Sequence, residues 1–179
     1  MAELPDVRES LEADERLVYE RMLARRREHG TGLYGPYVPL LNHPRLAERV
    51  EALGGFLKFE GVLPRTLYQF AVLAFARETG VKFEWADHAE PARQAGLPEA
   101  VIQALEAGSG ELPDPYQTVQ GVIRAVIAYR SIPAGLQERA IELVGVAGIV
   151  ELVVLCGLYA LMGYVSCSFD VPLPPRGGS

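Results

Sequence analysis

The segment from Ile141 to Val165 constrains the fold more than any other. It is strongly apolar, yet Glu142 and Glu151 interrupt it, and its unbroken part, Leu152 to Val165, is 14 residues long. A helix spanning a bilayer needs ~20 consecutive apolar residues. The segment therefore reads as the central buried helix of a bundle, or a helix at a subunit interface, and not as a membrane span. Gly145, Gly148, Gly157 and Gly163 add points where another helix can approach closely.

The rest of the chain supplies helices to pack against it. Leu11, Leu17, Val18, Met22 and Leu23 form an apolar stripe amid charges, which predicts a helix from about Glu9 to Glu28, ended by His29-Gly30. The basic run Arg21 to Arg27 within it reads as a solvated helix face. The Gly/Pro/Tyr-rich stretch 30–39 excludes regular helix, but it is too aromatic for a linker and suits the wall of a pocket. Asn42 is placed to cap a helix starting near Pro44, with Leu46, Val50, Leu53 and Leu57 at helical spacing. Pro64 opens another, running to Thr79-Gly80. A helix holding Glu84 and His88 follows at once and closes at Gly96-Leu97-Pro98, where a short one runs through Leu105. Gly108-Ser109-Gly110 and Pro113-Asp114-Pro115 bound a loop. Tyr116 to Tyr129 reads as helix, Ser131-Ile132-Pro133 breaks it, and the long apolar helix spans about Gly135 to Tyr164. No segment alternates with period two between hairpin turns. The reading is a single all-α domain over 1–175, with 1–29 as a helical extension and 176–179 as an unstructured tail.

Composition narrows the function. The net charge of −6 argues against a general nucleic-acid binder. Cys156 and Cys167 form no C-x-x-C pair, so a disulfide scaffold, a zinc ribbon and a thioredoxin-type pair are unsupported. The acidic start Met1-Ala2-Glu3-Leu4-Pro5-Asp6 lacks the order of a secretory signal, and a cytoplasmic protein is expected. No phosphate loop of either common type and no G-x-S-x-G elbow occurs. With His29 and His43 the only other imidazoles, both beside loops, no metal site is expected.

The chemistry-bearing stretch is Phe83 to Leu97. Glu84 and His88 stand one helical turn apart on a face shared with Val81, Trp85 and Ala92. A carboxylate there is expected to hydrogen-bond the imidazole, fix its tautomer and raise its pKa, leaving a proton donor or acceptor poised near neutrality. Asp87 and Glu90 are expected to face solvent. Glu151, amid Val150, Leu152, Val153 and Val154, must be paired, protonated or at the pocket; it is a candidate second acid or substrate contact, and pairing with an arginine across a helix or subunit boundary is the expectation.

Three segments carry a family resemblance: "GPYVPLLNHPRLAERVEALGGFLKFEGVLPR", "LYQFAVLAFARETGVKFEWADHAEPARQAGLPEAVIQAL" and "ELVVLCGLYALMGYVSCSFDVPLP". Together they resemble the carboxymuconolactone decarboxylase family, which includes the alkylhydroperoxidase D-like (AhpD-like) proteins. The resemblance implies an all-helical fold whose subunits assemble into trimers or hexamers. In the peroxidase branch a C-x-x-C pair precedes a His by four residues, with a relay Glu one helix earlier. Those positions fall here on Val81, Glu84, His88 and Gln69. Both thiols and the relay acid are missing, so thiol peroxidase activity is not expected.

What remains resembles the decarboxylase branch and implies a lyase that needs no cofactor, because the substrate carries its own electron sink. On that reading His88 donates a proton or hydrogen-bonds the oxyanion and Glu84 holds it in place. Arg65 is the expected carboxylate clamp, Gln69 orients substrate or water, and Trp85, Tyr34 and Tyr37 wall a small-molecule pocket. Two alternatives are a lactone or ester hydrolase in which His88 activates water, and a non-enzymatic oligomeric binding protein.

Overall fold

The computed structural model describes residues 4–108 and 111–174, and every regular element among them is helical. The expected tail at 176–179, the Ser109-Gly110 part of the loop and Met1-Ala2-Glu3 lie outside the described residues. In chain order the helices are α1 (Ala13–Glu28), α2 (Tyr37–Leu40), α3 (Pro44–Gly55), α4 (Arg65–Thr79), α5 (Lys82–Gln94), α6 (Glu99–Ala107), α7 (Tyr116–Ile127) and α8 (Ala134–Ser168). A π-helical turn, Phe56–Glu60, extends α3.

At the centre lies α4. Ten consecutive residues, Leu67 to Ala76, are buried, so this helix has no solvent face. It packs against α5, α6, α7 and α8, while α1 lies on α3. The buried apolar side chains from all these helices form one continuous cluster.

Several local expectations change in the folded chain. The first helix starts at Ala13, where a capping box between Glu12 and Glu15 satisfies the terminal amides. The aromatic loop contains the short α2. Asn42 does not cap α3; its amide donates to the carbonyls of Pro5 and Pro39, tying the N-terminal segment down. Tyr129 lies beyond α7 at φ 52, with its side chain in solvent.

The long C-terminal helix is two helices in line. Gly145 adopts φ 72, ψ 172, so 134–144 and 146–168 meet at a kink. Only glycine takes that backbone conformation without strain. By length and composition α8 could cross a membrane, and a third of its most apolar window is buried here. Val146, Val150, Val153 and Val154 stay exposed along one side. Glu151, between them, turns inward. It accepts the Val62 amide at 2.8 and 2.9 Å and the Leu63 amide at 3.1 Å. The expected arginine partner is therefore replaced by two backbone N–H groups, which satisfy a buried carboxylate equally well. This contact fixes the link between the π-helical turn and α4.

Candidate functional site

Three helices converge on His88. From α4, Gln69 presents Oε1 to Nδ1 at 2.8 Å; from α8, the Tyr159 hydroxyl lies 3.2 Å from Nε2. Tyr68, also on α4, bonds the Tyr159 hydroxyl at 2.6 Å. Facing a carbonyl oxygen, Nδ1 carries the ring proton, so Nε2 accepts from Tyr159 and Tyr159 accepts from Tyr68. Gln69 is fully buried, His88 is 3% exposed, and Nε2 of Gln69 has no partner.

Glu84 does not play the part expected of it. Its Oε2 stands 3.8 Å from Nε2 of His88, beyond hydrogen-bond reach, and Gln69 sets the tautomer instead. The pKa of His88 is pushed well down, first by burial and then by the charges of Lys58, Arg65 and Arg26. The expected rise is thus reversed, because desolvation disfavours the imidazolium more than nearby acids favour it. Glu84 moves the other way. Burial, and then the charge of Asp87, push its carboxyl up to about 8 against the pull of Lys58. Its Oε1 is buried with no partner. At neutral pH Glu84 is a carboxylic acid holding its proton.

Both residues line a narrow cavity with a volume of about 50 Å³. Tyr34 and Tyr37 line it too, as the loop reading anticipated for pocket walls. Tyr34 is half exposed and donates to Asp87 at 2.8 Å. Asp87, expected in solvent, forms part of the wall, and burial raises its pKa against Tyr34, Lys58 and Arg26. Tyr37 is buried under the guanidinium of Arg26, 4.6 Å above its ring, and burial pushes its hydroxyl up to about 12.

Arg26 corrects the reading of the basic run as a solvated face. Arg21 holds Glu48 at the surface and Arg25 reaches the buried Glu51, but Arg26 is 8% exposed and lines the cavity, with Nε unpartnered. Val18, Met22 and Arg26 are the buried residues of α1, four apart. That spacing was the available signal. Lys58, on the π-helical turn, also faces the cavity, and burial followed by Arg26 pushes its ammonium down to about 8. Its signal was rarity, since Lys58 and Lys82 are the only lysines among 17 basic residues. Nothing local marks Tyr68 or Tyr159, whose roles depend on where α4 and α8 cross.

Four expected site residues lie outside the cavity lining. Trp85 is half-buried against the core and Phe83 takes its place on the cavity wall. Arg65 stacks over Phe59 and Tyr68 and donates to the Lys58 carbonyl at 2.8 Å, so it braces the turn and clamps nothing in the cavity. Glu151 anchors the backbone, as described above. Gln69 sits behind His88 and does not line the cavity. Neither cysteine lines it; burial pushes the Cys156 thiol up to about 12. Among the described residues no group of three or more His, Cys, Asp or Glu could hold a metal ion.

No protein-family model matches the chain. No curated protein matches it significantly in sequence. Solved structures do. The debrominase Bmp8 superposes with a TM-score of 0.72 at 9% identity, covering 92% of this chain and 90% of that one. A cysteine-to-alanine variant of Bmp8 with 2,3,4-tribromopyrrole gives 0.73 at 8% identity over 96% and 94%. ATU0492 from Agrobacterium tumefaciens, a protein of unknown function provisionally assigned to AhpD-type antioxidant defence, gives 0.63 at 21% identity over 75% and 94%. The chain has the AhpD-like fold. Similarity at this level of identity speaks to the AhpD-like architecture, and the chemistry rests on the cavity itself.

Proposed function

We propose that this chain is a cofactor-independent carboxy-lyase acting on a small carboxylated lactone or related carbonyl metabolite. The observation that carries the reading is Glu84, a buried acid with one free oxygen in the same cavity as Arg26 and Lys58. Loss of carbon dioxide breaks the bond to the carboxylate carbon and sends its electron pair into the conjugated carbonyl. The resulting oxyanion needs preorganised donors in a water-poor site, and the unpartnered Nε–H of Arg26 and the Lys58 ammonium supply them. The carbon then needs a proton, which the Glu84 carboxyl donates. His88 and the Tyr159–Tyr68 hydroxyl pair form the neutral hydrogen-bonded wall beside Glu84.

The neighbours' names, antioxidant defence and debromination, would require a reductant. In this cavity no thiol offers one. A hydrolase needs a base free to take a proton from water, whereas both nitrogens of His88 already face protein partners. The reading includes self-association through the apolar side of α8 left uncovered at Val146, Val150, Val153 and Val154.

Carbon dioxide release from carboxymuconolactone tests the reaction. Release is expected from the native chain and at least about 100-fold slower release from folded Glu84→Gln, the usual scale of general-acid catalysis. Undiminished release from that variant refutes the mechanism, and ring-opened acid without carbon dioxide identifies a hydrolase.

A further inference from the structure

Basic residues in this chain are arginine at 15 positions and lysine at two, Lys58 and Lys82. One of the two lysines faces the cavity; the other is exposed at the start of α5. Arg21, Arg25, Arg93 and Arg124 each hold a carboxylate, whereas no ion pair of Lys58 occurs among the described residues. Its Nζ lies 5.6 Å above the ring of Phe59. The turn that carries it is anchored twice, by Arg65 on its own carbonyl and by Glu151 on Val62 and Leu63. A π-helical turn inserted beside a site is itself a frequent mark of function.

A fixed positive charge for an anion would be better supplied by arginine, whose fork is rigid and always charged. Lysine differs in one chemical respect: it can give up its proton and become a nucleophile. Burial beside the Arg26 guanidinium favours that loss.

We propose that Lys58 condenses with the carbonyl carbon of a small anionic oxo acid to form a covalent iminium. The inference rests on the cavity being the substrate site; it adds ketone and aldehyde substrates, on which the free amine of Lys58 acts, to the lactones that meet its ammonium form. The Nζ lone pair forms the C–N bond while the carbonyl π electrons move to oxygen, which takes the proton of Glu84. The Glu84 carboxylate so formed takes one proton from the amine nitrogen and passes it to the hydroxyl, which leaves as water while the C=N bond closes and the positive charge stays on nitrogen. In a β-oxo acid the iminium then accepts the electron pair released with carbon dioxide, giving an enamine. Protonation of its carbon and addition of water return the product and the free amine. Arg26 holds the substrate's anionic group through its unpartnered N–H.

The test uses the intact chain with sodium glyoxylate, an aldehyde bearing one carboxylate, and cyanoborohydride to reduce any iminium. Peptide mass spectrometry then reads the rate at each lysine. An amine titrating near 8 is ~100-fold more deprotonated at pH 7 than an unperturbed lysine at ~10.4. Labelling of Lys58 at least tenfold faster than Lys82 is expected, with the difference lost in guanidinium. Glu84→Gln should slow Lys58 and leave Lys82 unchanged. Equal rates at the two lysines, or no modification of Lys58, overturn the proposal. Fast Lys58 labelling without carbon dioxide release from any carboxylated substrate refutes the lyase and keeps the amine. Release from carboxymuconolactone with Lys58 labelled no faster than Lys82 does the reverse.

Discussion

Replacing Glu84 by glutamine isolates the cost of desolvating one carboxyl. The native chain holds this group protonated up to about 8, while its ordinary value is 4.5. Between those two values the folded state binds more protons than the unfolded chain, so stability falls as pH rises through the window. Below 4.5 the contribution is fully present; above 8 it is gone. At about 1.4 kcal/mol per pH unit, the upper bound is about 5 kcal/mol. Relaxation around the ionised carboxylate reduces this to about 2–4 kcal/mol. Glutamine matches the shape of the neutral acid and never ionises. At pH 5 the variant should therefore match the native chain within about 1 kcal/mol. At pH 9 it should be more stable, with a urea midpoint higher by about 1–2 M for a typical slope. Urea unfolding followed by circular dichroism at intervals from pH 5 to 9 measures this directly. Asp87, His88 and Lys58 remain in both proteins, so the difference between the curves reports Glu84. A pH-independent difference would show that water already reaches this carboxyl, and the cavity assignment would go with it.

Two further perturbations probe the scaffold around the site. Glu151→Ala leaves the Val62 and Leu63 amides without acceptors and should cost about 2–4 kcal/mol in urea unfolding; a loss below about 1 kcal/mol would mean solvent replaces the carboxylate. Gly35 sits at φ 59, and a Cβ added there would run into the ring of Phe83. Gly35→Ala should cost about 1–3 kcal/mol and displace Phe83 from the cavity wall, read as a lower melting temperature with altered Phe83 side-chain resonances; unchanged stability would refute the strain.

The AhpD-like fold supports more than one chemistry, and this cavity separates them by what it holds. Both thiols are outside it, on α8, and a protonated acid, a buried guanidinium and an amine are inside. That inventory favours moving protons and stabilising negative charge over moving electrons through thiols.

The helices were legible in the sequence because their signals are local. Apolar spacing marks the buried face of α7, and glycine and proline mark most of the ends, whereas on α3 Leu46 and Leu53 are exposed and Glu51 is buried. The shared face of Glu84 and His88 follows from the helical repeat alone, and both residues do reach the cavity. Quantities that depend on distant neighbours were not legible. Tyr159 meets His88 across 71 residues of chain, and Gln69 meets it across 19. Glu151 reaches backbone 88 residues away, so its direction could not be read from the apolar run around it. The titration of the site belongs to this second class as well. Glu84 is pushed up and His88 down because helices from the whole chain exclude water around both. Spacing four residues apart suggested an ion pair; burial decided that both partners stay neutral, because removing a charge from water costs more than one imperfect contact returns.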